Sequence, residues 1–166
     1  KDADTTITGA QLVALFASKN AGIDVPDEAI AKGKKFLLEC QDKRGGFGYT
    51  GNSGANLPRT AIGSLILALS EDTNSKAYKA SVEYLRQNSA FGDQGHKFYS
   101  LYYTAQAMFR SSPEDWNRWN LTNVRQLQAS QSDNGSWTGN YGTTFATSAA
   151  LLSMALNYRY LPIYER

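Results

Sequence analysis

The sequence predicts an all-α fold assembled from stacked helical hairpins. Apolar residues recur at helical spacing along nearly the whole chain. Glycine-containing turns, several with an adjacent aromatic residue, punctuate those segments. The order of helix, glycine–aromatic turn and helix recurs, which marks a repeat architecture. No alternating pattern with hairpin signals competes for a strand assignment.

Taken in order, the first helix is expected over 5–19, where Leu12, Leu15 and Phe16 share a face. The second covers 27–41, with Pro26 suited to a first turn and Ile30, Phe36, Leu37 and Cys40 apolar. The third covers 58–71, through Ile62, Leu65, Ile66 and Leu69, and the fourth covers 76–88, through Tyr78, Val82 and Leu85. The fifth covers 98–111, through Leu101, Ala105, Met108 and Phe109. Ser112 followed by Pro113, Glu114 and Asp115 opens the sixth, over 113–131, with a capping residue, a proline at the first helical position and acids in the first turn. The seventh covers 144–157, through Leu151, Leu152, Ala155 and Leu156.

The repeat turns are Gly46-Phe47-Gly48, Ala90-Phe91-Gly92 and Gly135-Ser136-Trp137. The helices that follow share a register: Thr6, Ala14 and Leu15 recur as Thr60, Ala68 and Leu69 and again as Thr147, Ala155 and Leu156. Thr104-Ala105 begins the middle copy, and Ser112 with Pro113 interrupts it. One such hairpin cannot bury both faces. Side-by-side stacking gives each inner helix, rich in small residues, a neighbour on both flanks, while the outer helices carry more charge. The hairpins are 27–71, 76–111 and 113–157, and 5–19 is an unpaired inner helix, giving about three and a half repeats.

Composition narrows the function classes. A chain of 166 residues has room for one domain, spanning 1–166, and its start at Lys1-Asp2-Ala3-Asp4 reads as a cut within a larger protein. Lys and Arg number 17 against 15 Asp and Glu, a net charge of +2, too balanced for a nucleic-acid surface. The single cysteine, Cys40, rules out an internal disulfide, a multi-cysteine zinc site and an iron–sulfur cluster. Neither a membrane span nor a signal peptide is visible in the chain, and the compartment stays open.

Lys32-Gly33-Lys34-Lys35-Phe36-Leu37, then Gln41, then Gly45-Gly46-Phe47, is similar to the repeat of squalene cyclases. Gln131 through Trp137 matches the second half of that repeat, with its Gln, Gly and Trp. Across essentially its whole length the chain resembles the prenyltransferase and squalene-cyclase repeat superfamily. The resemblance implies a partial α/α toroid, an inner helical layer within an outer one, with Gln41, Phe47, Gln131 and Trp137 as structural staples.

What the family does is carried over residue by residue. Protein prenyltransferases hold zinc through an Asp, a Cys two residues later and a distant His. Here Cys40 precedes Asp42 and His96 is the only histidine, so no metal and no cofactor is expected. Class II terpene cyclases protonate their substrate with an acidic motif before an inner helix. Asp2-Ala3-Asp4-Thr5-Thr6 resembles an Asp-x-Asp-Thr-Thr variant of it, with Asp4 as general acid and Asp2 as its partner. An aspartate in that place is also the commonest kind of helix N-cap. Tyr99, Tyr102, Tyr103, Phe109 and Phe145 are the candidate ligand-binding aromatics. Two readings follow. One is a non-catalytic module whose concave face binds an isoprenoid-like or other apolar ligand, or a protein partner, with self-association available through the open repeat ends. The other is a fragment of a class II terpene cyclase.

Overall fold

In the computed structural model, which describes residues 3–89 and 95–158, helices form where the periodicity places them. They are α1 (Thr5–Asn20), α2 (Asp27–Glu39), α3 (Leu57–Leu69), α4 (Lys76–Asn88), α5 (Lys97–Ser111), α6 (Pro113–Ser130) and α7 (Thr143–Ala155), followed by a 3-10 turn at Leu156–Tyr158. The described residues contain no β-strand, only an isolated bridge between Gln41 and Phe47. Their ends follow local chemistry. Asn56, Ser75 and Ser112 cap α3, α4 and α6 with side-chain oxygens. Pro26 sits at the N-cap of α2 rather than inside its first turn.

The helices pack in two layers. α1, α3, α5 and α7 lie side by side in that order, each against the next. α2, α4 and α6 lie against the seams, each touching the odd-numbered helices on either side of it in sequence. α3 is walled in on both flanks, and all of Leu57–Leu67 except Arg59 is buried. Small residues permit the close approach. A Cβ on Gly9 of α1 would fall 2.0 Å from the Ile62 side chain of α3. The apolar interior falls into two clusters, one around α3, α5 and α7 and one around α1, α2 and α3, and Val13 and Leu69 touch both.

The repeat is visible in individual hydrogen bonds. In the turn after α2, Gln41 Nε2 donates to Gly45 O (3.1 Å), and the Asp42 amide donates to Gly46 O (2.7 Å). After α6, Gln131 Nε2 donates to Gly135 O (2.8 Å), and the Ser132 amide donates to Ser136 O (2.9 Å). Gly45 and Gly135 take the left-handed backbone these turns require, with φ of +91° and +82°. The aromatic residue then enters the seam. Phe47 is fully buried on Gly63 of α3, and its amide donates to the Thr60 hydroxyl (3.0 Å). Trp137 is buried likewise, and its amide donates to the Thr147 hydroxyl (3.1 Å). Gln41 also reaches Ala77 O in α4 (2.9 Å), tying the turn to the next hairpin. The turn at 90–92 and the tail from 159 lie outside the described residues.

The register differs in α1. The buried threonine there is Thr5, whose hydroxyl donates to Gly48 O (2.7 Å). Thr6, one residue on, is drawn to Asp4, which accepts both its amide and its hydroxyl.

Replacing Thr60 by Val keeps the shape but leaves the buried Phe47 amide without its acceptor. The variant is expected to lose about 1–3 kcal/mol of stability, read from urea unfolding, with Thr60→Ser recovering most of the loss. An unchanged urea midpoint for Thr60→Val contradicts this role for the threonine.

Candidate functional site

The inner helices run the same way, and their N-terminal ends border one cavity of about 560 Å³. α1 contributes Thr6, α3 Pro58 and Arg59, α5 Tyr99 and α7 Phe145. The segments entering the helices contribute Tyr49, Asn56, His96 and Tyr141. A smaller hollow of about 160 Å³ adjoins it, sharing His96, Tyr141 and Phe145 and adding Lys97.

Polar bonds hold the rim. The Tyr49 hydroxyl donates to Asp4 Oδ2 (3.2 Å), linking the segment before α3 to the start of α1. The Arg59 guanidinium stacks over the Tyr49 ring, 5.7 Å from its centroid, and donates to Gly54 O. On the other side, the Tyr141 hydroxyl and His96 Nδ1 lie 2.6 Å apart, and Asn140 Nδ2 donates to Gly95 O (2.7 Å). These bonds tie the segment before α7 to the one before α5. The Phe145 ring meets that of Tyr141 edge-on at 5.4 Å.

Asp4 is the N-cap of α1, accepting the Thr6 and Ile7 amides at 2.7 and 2.9 Å. Burial pushes its carboxyl up. The hydrogen bonds from the Thr6 hydroxyl, the two amides and Tyr49 outweigh burial and hold it below the ordinary carboxylate value. Asp4 is therefore ionised at neutral pH. Burial, reinforced by Tyr103, pushes the Tyr99 phenol well above its usual range, so it stays protonated.

The aromatics expected to line the hollow divide. Tyr99 and Phe145 border it. Tyr103 is buried in the core, edge-on to Tyr99 at 5.1 Å and to Tyr102 at 4.9 Å. Phe109, near the C-terminal end of α5, packs edge-on against Trp116 of α6 at 5.2 Å. Tyr103 thus belongs to the core, with Tyr102 and Phe109 packed against it. Asp2 lies outside the described residues. Tyr49, Arg59 and Tyr141 were missed by sequence reasoning. The available signal is their position: Arg59 lies in the first turn of α3, Tyr141 just before α7, and Tyr49 in the segment that leads into α3. Among the described residues no cluster of His, Cys, Asp and Glu is placed to hold a metal ion, and no helix is long and apolar enough to cross a membrane.

No protein-family model and no curated protein sequence matches the chain.

The lowered Asp4 value sets a sign for pH dependence. Its contribution is complete above the unfolded carboxyl value of 3.8 and is lost as pH falls from there through the lower folded value. Asp4→Asn, which keeps a capping oxygen, is expected to flatten the loss of stability below pH 3.8, while Asp4→Ala costs about 1 kcal/mol at pH 7. Urea titrations at several pH values check both. Parallel pH profiles for wild type and Asp4→Asn contradict the assignment.

Proposed function

We propose that the chain is a helical-repeat domain of the prenyltransferase and squalene-cyclase type, and that it binds a largely apolar ligand without transforming it. The cavity between the starts of α1, α3, α5 and α7 is the observation that carries this reading. Its volume lies within the range of small-molecule sites, and such sites are mostly apolar with a few placed polar groups. Here the apolar part is the rings of Tyr49, Tyr99, Tyr141 and Phe145, and the polar part is Thr6, Asn56, Arg59 and His96. The layered packing of odd and even helices and the matched turns at 41–47 and 131–137 support the superfamily assignment.

The state of Asp4 favours a binder over a cyclase. A proton donor to an alkene must hold its proton in the resting site, and Asp4 is a carboxylate committed to capping α1.

Dodecanol, a neutral apolar probe, is expected to shift the amide resonances of residues around the cavity. Phe145→Ala should weaken its binding about tenfold, the order expected from removing a ring's contact area. Leu151→Ala, an exposed change further along the same helix, should leave it unaltered. Equal weakening by both, or resonance shifts that avoid the cavity, contradicts the proposal.

A further inference from the structure

Among the described residues, the charges around this cavity are not balanced. Arg86 and Arg118 both have carboxylate partners. Arg86 grips Asp115 with two bonds of 2.9 and 2.8 Å, and Arg118 reaches Glu114 at 2.8 Å. Arg59 has no carboxylate partner among the described residues; its contacts are Gly54 O and the Tyr49 ring, and its buried Nε–H has no acceptor. A guanidinium on an aromatic-lined wall, with its charge uncompensated, is built to meet an anion.

The helix starts add to this. Asp4 and Asn56 cap α1 and α3, and among the described residues no side-chain cap is seen on α5 or α7. The first turns of these two helices, with their positive ends, border the same cavity through Tyr99 and Phe145. Lys97, the first residue of α5, borders the adjoining hollow, with its ammonium 5.4 Å from the Phe98 ring centroid.

The sum limits the anion. Among the described residues, Arg59 and Lys97 supply two positive charges, and Asp4, bonded to the cavity residues Thr6 and Tyr49, supplies one negative charge. One positive charge remains. That suits a single carboxylate. A diphosphate carries more charge and calls for several cations or a metal, and no metal-binding cluster lies among the described residues.

We propose that the ligand of this cavity is an amphiphilic monocarboxylate, its apolar body against Tyr49, Tyr99, Tyr141 and Phe145 and its carboxylate on Arg59. This rests on the reading of the cavity as an apolar-ligand site and names the chemical class that it selects. The carboxylate end meets the guanidinium, and the chain-like or ring body displaces water from the aromatic rings.

Binding of dodecanoate, dodecanol and dodecyl phosphate at pH 8, measured by calorimetry on the full chain, tests this. Dodecanoate is expected to bind about tenfold or more tighter than dodecanol, as a charge-assisted contact supplies, and at least as tightly as the phosphate. Arg59→Gln should erase the preference for dodecanoate, read as the ratio of dodecanoate to dodecanol affinity within the variant. Arg59→Lys should keep part of it. Equal affinities for dodecanoate and dodecanol, a preference that survives Arg59→Gln, or tighter binding of the phosphate overturns the monocarboxylate assignment while leaving an apolar site in place. Absence of binding by all three overturns the apolar-site reading itself.

Discussion

A buried main-chain amide that must find an acceptor governs how this chain stacks. Where a turn drives its aromatic residue into the seam, the residue's own N–H leaves water with it. Phe47 and Trp137 are both in this position. The nearest acceptor is a threonine hydroxyl in the first turn or two of the next inner helix, Thr60 for Phe47 and Thr147 for Trp137. An unpaired buried amide costs a large share of a domain's net stability, so the start of that helix is pinned beside the turn. The rule pins the starts of α3 and α7, and the space between the starts of α1, α3, α5 and α7 is the cavity.

That origin explains the mixed character of the site. Helix starts bring positive ends and exposed N–H groups, while the segments entering them bring Tyr49 and Tyr141. α1 and α3 satisfy their own ends with Asp4 and Asn56, and no such cap is seen among the described residues for α5 and α7. Hydrogen bonds across the rim then fix the rings. Tyr49 is held by Asp4 and Arg59, and Tyr141 by His96. A rim pinned in this way loses little side-chain freedom on binding a ligand, which is the main saving a preformed site offers.

Much of the architecture was legible in the sequence because it is written in spacing. Gln, Gly and an aromatic recur between 41–47 and 131–137 with identical offsets, and the two turns share the same hydrogen bonds. The register of Thr60 and Thr147 was legible for the same reason. Thr6 was not, since Asp4 claims its hydroxyl and Thr5 takes the buried place. The site was legible in part. Tyr99 and Phe145 lie near helix starts and reach the cavity. Tyr103 lies one turn deeper and Phe109 far along α5, where the flanking helices close over the face. An inner helix with two neighbours shows a hollow only at its end, so an aromatic's depth along the helix matters more than its side. Arg59 gave no signal, because a lone arginine reads as solvated surface until its missing partner is seen.

The convergence of the inner helix starts is tested most directly by a nitroxide label at Ile7→Cys, an exposed site in the first turn of α1, with paramagnetic broadening read across the amide spectrum. Broadening that falls on the early residues of α3, α5 and α7, including Arg59, Tyr99 and Phe145, and spares the late ones, including Ser70, Ser111 and Ala155, is the pattern this account predicts. Broadening concentrated at the late residues, or confined to α3 alone, would contradict it.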